Sequence, residues 1–235
     1  MAGDPRGDAA KAVKITGDTV TLVVGSEAAI IFVHEQTIRA RSHFFDAALD
    51  KRWKEAMDRR IELPDDKADI VQLYCQYLYS EKIYLTPTLL KTDVVEGTEI
   101  LPEYIKLAEL YVFGEKVLDA LLKNTVMDAF LYRMNEKVEN TFYCPCTTVI
   151  DTIYQGTMPG SPARQMVLDI HICDGRASWV TLKPEENNKD FLIDLARALL
   201  GMARTPKVHM PDMSDIGKGT YHEAVDGKNK RRRGE

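Results

Sequence analysis

The chain has 235 residues, 45% of them hydrophobic and 29% charged, with a net charge of −5. That length and balance fit one sizeable globular domain, or one domain with an extension, built around a real core. No stretch approaches the roughly 20 apolar residues needed to span a bilayer, and no N-terminal apolar run resembles a signal peptide; a soluble intracellular protein is expected.

The charge is unevenly spread. The C-terminal KNKRRRGE carries five basic residues and one acidic, which leaves −9 for everything before it. An acidic body repels phosphate backbones, so nucleic-acid binding by the main domain is disfavoured and only the tail would attract it. Four cysteines, Cys75, Cys144, Cys146 and Cys173, are too few for a disulfide scaffold in a chain of this size and are expected to be reduced thiols.

Residues 1–17 mix Gly, Pro and charge without periodicity and read as a flexible arm. Val20–Val24 and Ala28–Val33 are rich in β-branched residues and are separated by Gly25-Ser26-Glu27, the pattern of two strands joined by a tight turn. After His34 the spacing becomes helical: Ile38, Ser42, Phe44, Phe45, Ala48 and Leu49 predict two short helices, with Ser42 capping the second. Arg60-Ile61-Glu62-Leu63 alternates polar and apolar before Pro64, which predicts a third short strand.

Asp65 or Asp66 is placed to cap a helix whose buried face is Ile70, Val71, Tyr74, Cys75, Tyr77 and Leu78. A Thr-, Lys- and Glu-rich loop, Thr86–Glu99, leads to a helix over Glu103–Val112 with Tyr104, Ile105, Ala108, Tyr111 and Val112 on one side and a stop at Gly114. The next helix is expected at once, with Val117, Leu118, Leu121, Leu122, Thr125, Val126, Ala129 and Phe130 at helical spacing. Beyond TFYCPC three more helices are predicted, Thr147–Tyr154, Pro162–Cys173 and Asn188–Met202; the second has Ser161 as N-cap, Pro162 at its first position and Gly175 past its end. From Thr205 to Glu235 periodicity fades, and the segment reads as a mostly disordered tail with a basic end.

The order of these pieces is similar to the BTB/POZ domain. The residues that carry the resemblance are VTLVVG at Val20–Gly25, FVHEQTIRARSHFF at Phe32–Phe45, IELPDD at Ile61–Asp66, DIVQLYCQYLYSEKI at Asp69–Ile83 and LAELYVFGEKVLDALL at Leu107–Leu122. With MPGSPARQMVLD at Met158–Asp169 and Trp53-Lys54-Glu55 ahead of the third strand, the chain most resembles fungal BTB-only proteins, in which C-terminal helices accompany the domain. The resemblance implies an α+β fold, a small β-sheet beneath a cluster of helices. The domain would span 18–130, with a helical extension over 141–204. It also implies a protein–protein interaction module and no enzyme. Two roles follow: a substrate adaptor for a cullin ubiquitin ligase, or a transcription-associated scaffold without cullin binding, in cytoplasm or nucleus. Departures are Thr19 between Asp18 and Val20, Glu35 where a basic residue commonly follows the histidine, and no counterpart in residues 1–17 of the helix that dimeric BTB factors swap. A domain-swapped homodimer is therefore not expected, although another homo-oligomer stays open.

In cullin-recruiting BTB domains an apolar-x-Glu signature stands between the Phe-rich helix and the next strand, where this chain has Trp53-Lys54-Glu55. The implied partner-binding residues are Phe45, Leu49, Trp53, Lys54 and Glu55. An indole filling a pocket beside a directional carboxylate is a sound anchor. A second reading folds Trp53 over its own helix as a lid on the core, since Phe45, Leu49 and Trp53 continue one stripe at i, i+4 and i+8.

Other residues carry less. Cys144-Pro145-Cys146 with His171-x-Cys173 invites a zinc site or a thiol enzyme, but C-x-C is a poor chelate spacing and the chain shows no oxyanion feature. His34 is where BTB domains place a fold-supporting histidine. There is no P-loop, G-x-G-x-x-G or H-E-x-x-H, so no catalytic residue, metal or cofactor is expected. Lys228, Lys230, Arg231, Arg232 and Arg233 form a candidate nuclear-import signal.

Overall fold

A computed structural model of the protein describes residues 15–50, 58–86, 102–137, 140, 143–180, 186–203, 216–217 and 219–225. These fall into two compact units, one made of the described residues up to 84 with 116–121 and 224–225, the other of those within 85–115 and 122–223.

In the first unit the two β-branched runs pair as an antiparallel hairpin, β1 (Thr19–Val24) and β2 (Ala29–His34), in the register Thr19↔His34 to Val24↔Ala29. Gly25 lets the chain turn: its φ is +72°, a region closed to most side chains. The third strand, β3 (Arg60–Leu63), joins the other edge of β1 in parallel, so the order is β2-β1-β3. Alternation sets its faces, Ile61 and Leu63 buried, Arg60 and Glu62 exposed.

Between strands run α1 (Glu35–Arg41) and α2 (His43–Ala48). Ser42 separates them by its extended backbone (φ −117°, ψ 121°), and its Oγ accepts the Phe45 N–H as the N-cap of α2. The two predicted short helices and their cap are both present. The helix α3 (Ala68–Ser80) buries Ile70, Val71, Tyr74, Cys75, Tyr77 and Leu78, the predicted face. Its cap differs from expectation. The N-cap is Lys67, with no side-chain bond, and Asp66 instead forms a 2.5 Å ion pair with Lys116. The Asp69 carboxylate accepts the Ile70 N–H at 2.9 Å in the first turn.

The second unit is helical. Its helices are α4 (Pro102–Val117, whose last two residues belong to the first unit), α5 (Ala120–Met134, first two likewise), α6 (Thr147–Gly156), α7 (Pro162–Cys173) and α8 (Lys189–Ala203). Leu107, Ala108, Leu110, Tyr111 and Phe113 of α4 are all buried, so this helix is covered on more than the one side the sequence suggested. It also runs through Gly114 instead of stopping there. A β-carbon at Gly114 would meet Lys123 Cγ at 2.8 Å and Leu122 Cδ2 at 3.2 Å, so the glycine serves close packing against α5. Val117 and Leu118 accordingly precede α5, and Leu118 turns the chain with φ +56° and lies exposed.

Around α4 and α5 the ring of Tyr104 stacks on Phe130 at 5.8 Å, and its hydroxyl donates to the Tyr143 carbonyl at 2.8 Å. The buried Arg133 guanidinium meets Glu103 at 2.6 Å. The helices α6 to α8 form as expected. Ser161 precedes α7 but makes no side-chain cap bond; its Oγ pairs with the Tyr111 hydroxyl at 3.2 Å. Among the described residues no helix is long and apolar enough to cross a membrane.

Candidate interaction site

The helix α2 is anchored at both ends. Ser42, 1% exposed, donates its Oγ–H to the Val117 carbonyl at 2.5 Å while capping Phe45. Phe45 is 0% exposed and stacks on Tyr74 at 6.3 Å, and Leu49 is 2% exposed. Burying each of these side chains contributes about 1.5–3 kcal/mol. Both named contact residues are therefore core, and neither presents its side chain to a partner. Trp53, Lys54 and Glu55 lie outside the described residues, as do Lys228, Lys230, Arg231, Arg232 and Arg233.

The outer side of this region is charged. Arg39 reaches Glu35 and Asp46, each at 2.9 Å, tying α1 to α2. Beneath it Arg41 is buried, its Nη2 donating to the Tyr77 hydroxyl at 2.7 Å and its Nε 3.5 Å from the Asp119 carboxylate. Burial pushes the Tyr74 phenol, which bonds the same carboxylate at 3.4 Å, well above its usual range. His34 is structural: the Tyr79 hydroxyl accepts its backbone N–H at 3.0 Å and pairs with its Nδ1 at 2.8 Å.

Among the described residues no group of three His, Cys, Asp or Glu side chains comes together to hold a metal, and no disulfide joins the four cysteines. Burial pushes the Cys75 thiol up to about 12, so it stays protonated at neutral pH. His171 bonds the Val167 carbonyl through Nδ1 at 2.7 Å and sits edge-on to Trp179 and Phe191, and burial lowers its pKa.

Sequence reasoning missed a second constellation. Within the stretch expected as tail, Tyr221 is 4% exposed and its hydroxyl donates to Asp169 at 2.8 Å. The next two residues are held as well: His222 pairs with Asp128 at 2.9 Å, and the Glu223 carboxylate with the Lys123 ammonium. Lys123 and Asn124 lie off the predicted apolar face of α5, where the sequence pointed to solvent, yet both are buried.

Residues 16–113 match the family model of the BTB/POZ domain. Among curated proteins, none matches the chain. The matched span holds the three-stranded sheet, the paired short helices, α3 and most of α4. The chain carries a BTB/POZ domain, an α+β module for protein–protein interaction.

Proposed function

We propose that the chain is a substrate adaptor for a cullin ubiquitin ligase, docking through Trp53 and Glu55. The observation that carries this reading is an apolar-x-Glu motif four residues beyond Leu49, in a BTB/POZ domain whose α2 is locked into the core by Ser42, Phe45 and Leu49. A tryptophan anchor at an interface is worth roughly 2–4 kcal/mol. Phe45 and Leu49 serve by holding the helix, and Trp53, Lys54 and Glu55 supply the contact.

The test is co-purification of a cullin with the wild-type chain and with Glu55→Lys. Loss of cullin from the variant, with its melting temperature unchanged, supports docking at this motif. Partners retained by both proteins with cullin in neither point to a transcription-associated scaffold. The basic run Lys228 to Arg233 is assigned to nuclear import, tested by fusing residues 226–235 to a cytoplasmic reporter.

A further inference from the structure

Residues 221–223 are bound the way a recognised peptide is bound. The Asn124 side chain clamps the backbone of Glu223 from both directions, its Oδ1 accepting the Glu223 N–H at 2.7 Å and its Nδ2 donating to the Glu223 carbonyl at 3.0 Å. An amide used this way reads peptide backbone, whatever the side chain. Selectivity comes from either side of the clamp. The Glu223 carboxylate lies on the Lys123 ammonium and takes the Tyr111 hydroxyl at 3.3 Å. Two residues earlier the Tyr221 ring is buried and donates its hydroxyl to Asp169. His222, between them, is exposed and pairs with Asp128 at 2.9 Å.

Two of the receiving groups are also held by residues outside the segment. Lys123 and Asn124 are each 7% exposed or less, Lys123 is also held by Glu115 at 3.0 Å, and Asp169 accepts from Gln165 at 2.7 Å. Such preorganisation favours binding because little ordering entropy remains to be lost.

We infer that α5, α7 and Tyr111 form a recognition site for a short peptide of the pattern Tyr-x-Glu with an unmodified phenol, occupied in cis by Tyr221–Glu223. A partner segment of the same pattern binds in trans when the strap leaves. The carboxylate of Asp169 requires a hydroxyl donor, so a phosphotyrosine dianion is excluded by like charge. The site deepens the adaptor reading by supplying the surface that selects a substrate. It does not depend on cullin binding, and its test uses only the chain and a peptide.

The test uses the full chain with a protease site inserted between Ala203 and Ile216, cut after folding. The probe is a fluorescent peptide of residues 219–224. A tethered strap acts at an effective concentration in the millimolar range, so the peptide binds the cut and washed protein about tenfold or more tighter than the intact protein. Asn124→Ala in the cut protein, phosphotyrosine in the peptide, and Tyr→Phe with Glu→Gln in the peptide each weaken binding at least about tenfold. If washing out the strap abolishes the thermal transition, exchange is read instead with the strap retained, as incorporation of excess labelled peptide into the cut chain. No saturable binding or exchange below about 1 mM, or equal binding of a scrambled peptide, overturns the proposal.

Discussion

Arg41 on α1 and Asp119, just ahead of α5, form an ion pair within the first unit, the guanidinium Nε 3.5 Å from a carboxylate that is 0% exposed. Two tyrosines complete the arrangement, Tyr77 accepting from Arg41 and Tyr74 donating to Asp119. Removing one charge of a buried pair leaves the other uncompensated. Arg41→Met should therefore destabilise by about 3–5 kcal/mol. Replacing both, Arg41→Met with Asp119→Asn, should recover part of that loss. Urea midpoints at constant m-value check both outcomes.

Ser42 makes two bonds with one hydroxyl, to the Val117 carbonyl and from the Phe45 N–H. Ser42→Ala orphans both groups and should cost roughly 1–3 kcal/mol. Ser42→Thr keeps the hydroxyl and should lose less. Thermal unfolding of the two variants decides it.

Gly156 ends α6 against Val112 of α4, where a β-carbon would fall inside the valine side chain. Gly156→Ala should destabilise by about 1–3 kcal/mol through overpacking. Shortening the neighbour, Gly156→Ala with Val112→Ala, should return most of it. Additive losses in the double variant would show that the clash is not the cause.

His171 gives the stability a pH dependence of known sign. Burial among Trp179 and Phe191 holds its pKa below the ordinary 6.5. As pH falls through 6.5 the unfolded chain takes up a proton that the folded chain refuses, so stability falls. The effect is bounded at about 1.4 kcal/mol per pH unit. Comparing melting temperatures of wild type and His171→Leu from neutral pH downward isolates it: the wild type should fall more steeply. Parallel curves would remove His171 as the source.

Local chemistry explains what the sequence revealed. The hairpin, the break at Ser42, β3 and the buried face of α3 were legible because turn residues, caps and hydrophobic periodicity act over a few positions. Gly114 misled because glycine ends helices and also permits close helix packing, and only the position of Lys123 and Leu122 distinguishes the two. Asp66 misled because a distant lysine, Lys116, took the carboxylate that a cap would have used. Phe45 and Leu49 stood on a stripe that could point inward or toward a partner, and burial resolved it inward. Tyr221 to Glu223 carry no period at all; their placement depends on Asn124, Lys123 and Asp169, far off in sequence.

The adaptor reading is tested most directly by the mass of a mixture. The purified chain is combined with a cullin N-terminal domain and measured by light scattering after size-exclusion chromatography. A discrete complex of the two, lost with Trp53→Ala or Glu55→Lys while each variant keeps its melting temperature, is the expected result. Separate elution of a folded wild-type chain and the cullin, or a complex that both variants preserve, would contradict it.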